Sequence, residues 1–222
     1  NFYKSYFLNK KFSIPYVSAK IAISKDFFTI NKKDRWITNK TSRKIAHLLR
    51  SKHDCILSTS KSINFDDSLL NCRINGLNNN KPDLFIIDLN LNLKKKLSLN
   101  NLLKKRKTYL VTCKRNFKKA KIYSKMGYKI VLISNLKSKN DFYLLYKKIY
   151  KMGYGRILIE AGLTFLNNLL KDKLINNLYI FKSDNKLGKN GKNNSPSRLL
   201  RNILPKLLTI NLDGDKLLKK EF

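Results

Sequence analysis

The 222-residue chain has only three cysteines, Cys55, Cys72 and Cys113, set far apart and in no CxxC pair. That spacing supports neither a disulfide scaffold nor a cysteine-based zinc site, and it fits a reducing cytoplasm. Histidine is scarcer still: His47 and His53 stand in no HxE or HExxH pattern and read as surface or helix-end residues, so no metal site is expected. No run approaches the ~18 consecutive apolar residues of a membrane span. The first residues mix charge with aromatics, unlike a secretory signal. GxGxxG, Walker and GxSxG patterns are all missing, which removes the commonest nucleotide cradles and the serine-hydrolase elbow. The chain opens on Asn1 without a methionine, as a piece of something longer or a processed product would.

Acid is in short supply as well. Fourteen acidic residues face 48 basic ones, a net charge of +34. Such a balance makes nucleic acid the first suspect. Its texture points elsewhere, because lysine supplies 39 of the 48 cations, arginine only 9, and the lysines are scattered over the whole chain. Specific nucleic-acid readers concentrate arginine forks and aromatic platforms on one element. The pattern instead fits a general drift towards Lys, Asn and Ile, with Asn78 to Asn80 as an example. Non-specific, counterion-driven binding is expected in vitro, and specific nucleic-acid recognition is not.

What is present is alternation. Tyr16 to Ser24 places Val17, Ala19, Ile21 and Ile23 on one face of an extended segment. Thr38 and Asn39 are candidate caps for a helix through Arg50, with Ile45, Leu48 and Leu49 on one side. Cys55 to Thr59, Leu84 to Asp88, Tyr109 to Thr112, Lys129 to Ile133, Arg156 to Glu160, Leu178 to Phe181 and Lys206 to Leu212 read as strands. Asn116 to Met126, Lys139 to Met152 and Thr164 to Lys171 read as helices, and Lys94 to Lys107 and Lys186 to Ser197 as loops. Alternation on this scale predicts one α/β domain with a largely parallel sheet.

Two places could carry chemistry. The first is the strand-turn-helix at Ile157 to Leu170: a glycine after the strand lets backbone amides approach a ligand, and the helix start offers unpaired N–H groups to phosphate. A plain β-α turn would look the same locally. The second runs from Asp34, Arg35 and the only tryptophan, Trp36, through Arg50 to the stretch Ser62 to Arg73. It contains the adjacent acids Asp66 and Asp67, which local charge balance would also explain.

In order, SAKIAISKD, DRWITNKTSRKIAHLLRSKHDCILSTSKSINFDDSLLNCR, KPDLFIIDLN, RILIEAGLTFLNNLLKDKLINNLYIF and KLG resemble one family. It is the reductase domain of the bacterial bifunctional riboflavin-biosynthesis deaminase-reductase. The resemblance covers about Pro15 to Gly191 and implies a dihydrofolate-reductase-like α/β fold with a predominantly parallel mixed sheet flanked by helices. It implies NADPH-dependent reduction of the ribosyl group of 5-amino-6-(5-phosphoribosylamino)uracil to a ribityl chain. Residues carried over as catalytic are Lys20, Asp66 and Glu160. Cofactor contacts fall at Ala22, Trp36, Thr38, Ser62, Asp66, Gly162, Leu163, Thr164, Phe165, Leu166, Asn167 and Asn168. Substrate contacts fall at Asp34, Arg50, Leu70, Arg73 and Glu160. A phosphosugar needs fixed cations, which arginine supplies bidentately, and carboxylates could stabilise a cationic imine while a lysine moves a proton.

The family also implies a homodimer and an upstream deaminase. Residues 1–14 resemble the linker to that deaminase, whose HxE and PCxxC zinc signature is missing here, so residues 15–222 are expected to be the reductase half alone. The family's last strand usually follows a segment like Leu217 to Phe222, which leaves open a domain cut short. Three departures stand out: Phe27 replaces a usual glycine, Ser68 a usual proline, and Asp34 a small hydroxyl residue. A carboxylate at position 34 would repel a substrate phosphate if it pointed that way. The alternative functions are a basic nucleic-acid-binding α/β module and a decayed reductase supporting a deaminase.

Overall fold

The computed structural model describes residues 2–77, 81–204 and 209–222. The chain divides into two compact units. One comprises Asn1–Tyr16 and Leu49–Leu158, the other Val17–Leu48 and Ile159–Phe222.

In the first unit, strands β3 (Cys55–Thr59), β4 (Asp83–Ile87), β5 (Thr108–Cys113) and β6 (Lys129–Ile133) lie side by side, every pair parallel. The sequences of β4 and β5 are buried at every position, as strands covered on both faces must be. Phe85 stacks on Tyr109 at 4.3 Å between ring centres, with Tyr154 edge-on to Phe85 at 5.1 Å. Helix α3 (Ser60–Asp66) follows β3 directly, α4 (Phe117–Lys125) packs on β5 and β6, and α5 (Lys139–Lys151) begins with a capping box between Ser138 and Asp141. Residues 2–12, inside the segment read as a linker, form helix α1 (Phe2–Phe12). The Asn9 amide fastens it, donating to the Ile14 carbonyl at 2.7 Å and the Gly155 carbonyl at 3.3 Å.

In the second unit, β1 (Tyr16–Ile23, from Val17 onward) pairs in parallel with β8 (Asn177–Lys182). The hairpin β10 (Thr209–Leu212) and β11 (Asp215–Glu221) joins antiparallel through β11 to β8. Counted over both units, the parallel strand pairs outnumber the antiparallel ones, as expected. The start of the Lys206–Leu212 strand lies outside the described residues. β11 went unread because only Leu217 and Leu218 interrupt its charged sequence. It gains strand character from having a neighbour on each side, with Asp215 and Leu218 buried. The Lys186–Ser197 stretch holds a 3₁₀ turn and β9 (Gly191–Lys192), paired with β2 (Ile30–Asn31). Likewise, Lys94–Lys107 contains a 3₁₀ turn at Ser98–Leu102.

Helix α2 (Lys40–Ser51) corrects one reading of its inward face. Ser42, Ala46 and Leu49 are buried, while Ile45 is half-buried and Leu48 exposed. The cause is polar: the Ser42 hydroxyl donates to Asp215 Oδ2 at 2.7 Å, so a small hydroxyl residue faces inward at no desolvation cost. Of the two candidate caps, Asn39 is the one used. Its Oδ1 accepts from the Ser42 N–H at 2.8 Å, and its own N–H donates to Asp215 Oδ2 at 2.8 Å. Thr41 Oγ1 also donates to Asp213 Oδ2 at 2.5 Å.

Candidate active site

Strand β1 has Val17, Ala19, Ile21 and Ile23 buried, as its alternation predicts. On the opposite face, Lys20 and Ala22 are the strand's only half-buried positions. Both were assigned to the site, one as catalytic and one as a cofactor contact. Lys20 Nζ lies 3.9 Å from Glu160 Oε2 and 5.6 Å from the centre of the Phe181 ring. Glu160 is the last residue of β7 (Arg156–Glu160), and its side chain is only 8% exposed. A buried carboxylate is tolerated when a cation and hydrogen-bond donors face it, and Lys20 is that cation.

Beyond Glu160, Gly162 caps helix α6 (Leu163–Lys171) with no side-chain cap, at φ −68° and ψ 164°. Any residue can adopt that backbone, so what glycine supplies here is the missing side chain. The Gly162 carbonyl accepts from the Phe165 and Leu166 N–H groups, both at 3.1 Å. The earliest amides of a helix have no intrahelical acceptor and are the ones a phosphate can use. The side chains of Leu163 and Leu166 are turned into the core, so any ligand contact there is through backbone. Thr164 Oγ1 donates to the Asn194 carbonyl at 3.1 Å, and the Asn167 amide to Ser195 Oγ at 2.8 Å and the Pro196 carbonyl at 2.9 Å. These two side chains hold the 194–196 loop. Asn168 is exposed on the same helix.

The 34–38 segment is arranged around its tryptophan. Trp36 is 44% exposed, with the Arg43 guanidinium 4.7 Å and the Arg35 guanidinium 5.2 Å from its ring centre. Arg43 also donates to the Thr38 carbonyl at 2.5 Å. Asp34 Oδ1 accepts from the Trp36 N–H at 3.2 Å. Its carboxylate is engaged with its own turn, which gives position 34 a backbone-shaping task.

The other assigned residues lie in the first unit. Thr59 caps α3, its Oγ1 accepting from the Ser62 N–H at 3.3 Å and lying 3.1 Å from Ser62 Oγ. Asp66 is exposed at the end of that helix. Its neighbour Asp67 adopts φ 44° and takes the Ser98 N–H at 2.8 Å and the Ser98 hydroxyl at 2.5 Å. The acidic pair is thereby split, with Asp67 structural.

Further on, Leu70 is buried at φ 49°, so a ligand would meet its backbone. Arg50 donates to the Asn71 carbonyl at 3.0 Å, and Arg73 to the Asn71 side-chain Oδ1 at 2.8 Å. One buried asparagine thus brings two of the assigned guanidinium groups together. Sequence reasoning missed Asn71, which has no signal beyond adjacency to this motif. It also missed Arg106, whose signal was an arginine amid Lys104, Lys105 and Lys107 in a chain that otherwise prefers lysine.

The fold is that of known reductase structures. RibD of Acinetobacter baumannii superposes with a TM-score of 0.78 at 21% identity, covering 97% of this chain and 60% of that one. Residues 15–215 match the RibD C-terminal domain family, and the chain belongs to it. It is 30% identical over 199 residues to the riboflavin biosynthesis protein RibD of Buchnera aphidicola subsp. Baizongia pistaciae (strain Bp), covering 85% of this chain and 53% of that protein. It is 31% identical over 173 residues to the 5-amino-6-(5-phosphoribosylamino)uracil reductase of Buchnera aphidicola subsp. Acyrthosiphon pisum (strain APS), covering 73% of this chain and 81% of that protein. The chain thus spans about half the length of the RibD relative and most of the reductase.

Proposed function

We propose that the protein reduces the ribosyl group of 5-amino-6-(5-phosphoribosylamino)uracil to the ribitylamino product, with NADPH as reductant. The observation that carries this reading is the Lys20–Glu160 pair at 3.9 Å, a buried carboxylate facing a lysine in a chain with 48 basic and 14 acidic residues. Membership of the RibD C-terminal domain family supports it.

When bound, the nicotinamide cofactor supplies the hydride. The residues present fit such a group: Gly162 leaves the start of α6 without a covering side chain, and Ala22 puts only a methyl beside Lys20 on its face of β1. Glu160 supplies negative charge to a substrate imine as it becomes cationic, the state that accepts hydride most readily at the sugar C1′. The ammonium of Lys20 gives the proton that accompanies ring opening and is left as the neutral amine. Asp66 supplies a second carboxylate, and Trp36, Thr38 and Ser62 contribute to cofactor binding. Arg50 and Arg73 hold the substrate phosphate, the ligand their paired forks suit. The expected partners are a second copy of the chain and a deaminase that supplies the substrate.

The test is to mix the protein with NADPH and the deaminated substrate and follow the nicotinamide absorbance. Stoichiometric loss of absorbance with formation of the ribitylamino product is expected. A folded protein that binds NADPH yet leaves both reactants unchanged would refute the activity.

A further inference from the structure

Among the described residues Arg106 is the least exposed lysine or arginine, at 5%, and it touches none of the groups assigned to catalysis. Its guanidinium donates to the carbonyls of Leu70 at 2.8 Å, Pro82 at 3.2 Å and Leu69. All three partners are backbone oxygens. Burying a guanidinium is costly, and backbone carbonyls repay it only in part. Burial accordingly pulls its pKa down to about 10, against the pull of Asp83 and with the help of Arg50. A cation kept under those conditions has a task that an apolar side chain of similar size would not perform.

The neighbours of its partners indicate that task. Leu69 and Leu70 immediately precede Asn71, whose carbonyl holds Arg50 and whose side chain holds Arg73. Leu70 has φ 49°, a conformation that an L-residue of this kind rarely adopts and that needs support from its surroundings. Arg106 grips the carbonyls on both sides of that bend. The connection is continuous: Arg106 fixes Leu69 and Leu70, these set Asn71, and Asn71 sets the two arginines.

We propose that Arg106 is a positioning residue that holds the Leu69–Arg73 segment so that Arg50 and Arg73 present a paired guanidinium site to the substrate phosphate. This rests on the reading of Arg50 and Arg73 as phosphate holders given above. Arg106 itself touches no reacting atom. A planar fork is needed because three carbonyls are met from one side chain, which the compact ammonium of lysine cannot reproduce.

The experiment compares Arg106→Lys, Arg106→Met and the reference variant Arg73→Gln. The readouts are KM and kcat for the phosphorylated substrate and for its dephosphorylated analogue, NADPH affinity, and thermal unfolding. For Arg106→Lys, KM for the phosphorylated substrate should rise about 10-fold while kcat per folded molecule and NADPH affinity hold. For Arg106→Met the rise should be larger, on the order of 10²-fold. KM for the dephosphorylated analogue should not move in either. If Arg106→Met does not fold, the lysine variant carries the test alone. A variant that melts earlier but keeps the parent KM for the phosphorylated substrate would show a merely structural role and overturn the proposal. Arg73→Gln separates the two levels. Should it raise KM while the Arg106 variants do not, the phosphate reading stands and the positioning role falls. Should it leave KM unchanged, the phosphate reading falls and takes this proposal with it.

Discussion

Phe27 occupies the left-handed region at φ 68°, where the resembled family carries glycine. The turn is closed around it: the Phe27 N–H donates to the Ser24 carbonyl at 3.0 Å, and the Phe28 N–H to Ser24 Oγ at 2.9 Å. Its ring lies between two cations, Lys182 Nζ and the Arg201 guanidinium, each 4.7 Å from the ring centre. The left-handed backbone costs about 1–2 kcal/mol, and two half-exposed cation–π contacts return about 0.5–1 kcal/mol each. Those terms nearly cancel, which explains how a bulky residue holds a glycine position.

Phe27→Ala removes the ring and keeps the backbone cost, so it should destabilise by about 1–2 kcal/mol. Phe27→Gly removes both and adds about 0.5–1 kcal/mol of unfolded-state entropy. Glycine should therefore be more stable than alanine here by about 0.5–1 kcal/mol, the reverse of their order at an ordinary position. Urea unfolding followed through Trp36, in the same unit as Phe27, measures this, provided the denaturant slopes agree. An alanine variant as stable as the glycine variant would refute the left-handed assignment and the argument built on it.

Glu160→Gln should keep the fold and NADPH affinity while lowering kcat on the order of 10²-fold, since it removes charge felt mainly in the transition state; parent turnover at saturating substrate would exclude Glu160 from the chemistry. Asp66→Asn should lower turnover by a similar order, with weaker NADPH binding as well. Gly162→Val is compatible with its backbone at φ −68°, so the loss should appear in NADPH affinity with little change in melting temperature. Unchanged affinity would remove that turn from the site. Against the opposing effect of burial, hydrogen bonds from the Ser24 hydroxyl and the Leu187 and Gly188 N–H groups hold the Asp26 carboxyl at about 2, below its ordinary 3.8. Its folded pKa is depressed, so its contribution is complete above about pH 3.8 and fades as pH falls towards 2. Acid melting curves of Asp26→Asn should be flatter than the parent's across that window, and equal slopes would count against the contact.

Strands were the most legible part of this sequence. Cys55–Thr59 and Arg156–Glu160 have the bounds read from their apolar runs, because buried strands carry an uninterrupted apolar signal, and Lys129–Ile133 has them too although only Val131 in it is buried. The inward face of α2 was misread since Ser42 is buried through a hydrogen bond 173 residues away, which no local period reveals. β11 hid behind its lysines for a similar reason: its place comes from pairing with β8 and β10. In the site, Lys20 and Glu160 were named through family resemblance, and their proximity is a tertiary fact. Arg106 acts through backbone carbonyls, as Asn71 does towards Arg50, and that is an acceptor every residue shares, so identity could not announce those partners.

Anchoring of the first turn of α2 by Asp213 and Asp215 also sets a clock. The acceptor for the Asn39 N–H is made 176 residues after it, a delay of about 10–35 s at the usual pace of synthesis. Strands β3 to β6, all encoded in between, leave the ribosome first and can assemble while Trp36 and Thr38 still precede an unfinished helix start. The segment proposed to receive the cofactor is thus completed only after the β10–β11 hairpin has been made. A nascent chain halted before residue 213 would carry β3 to β6 but lack the acceptors for the Asn39 N–H and the Ser42 hydroxyl, so the cofactor segment waits on the β10–β11 hairpin.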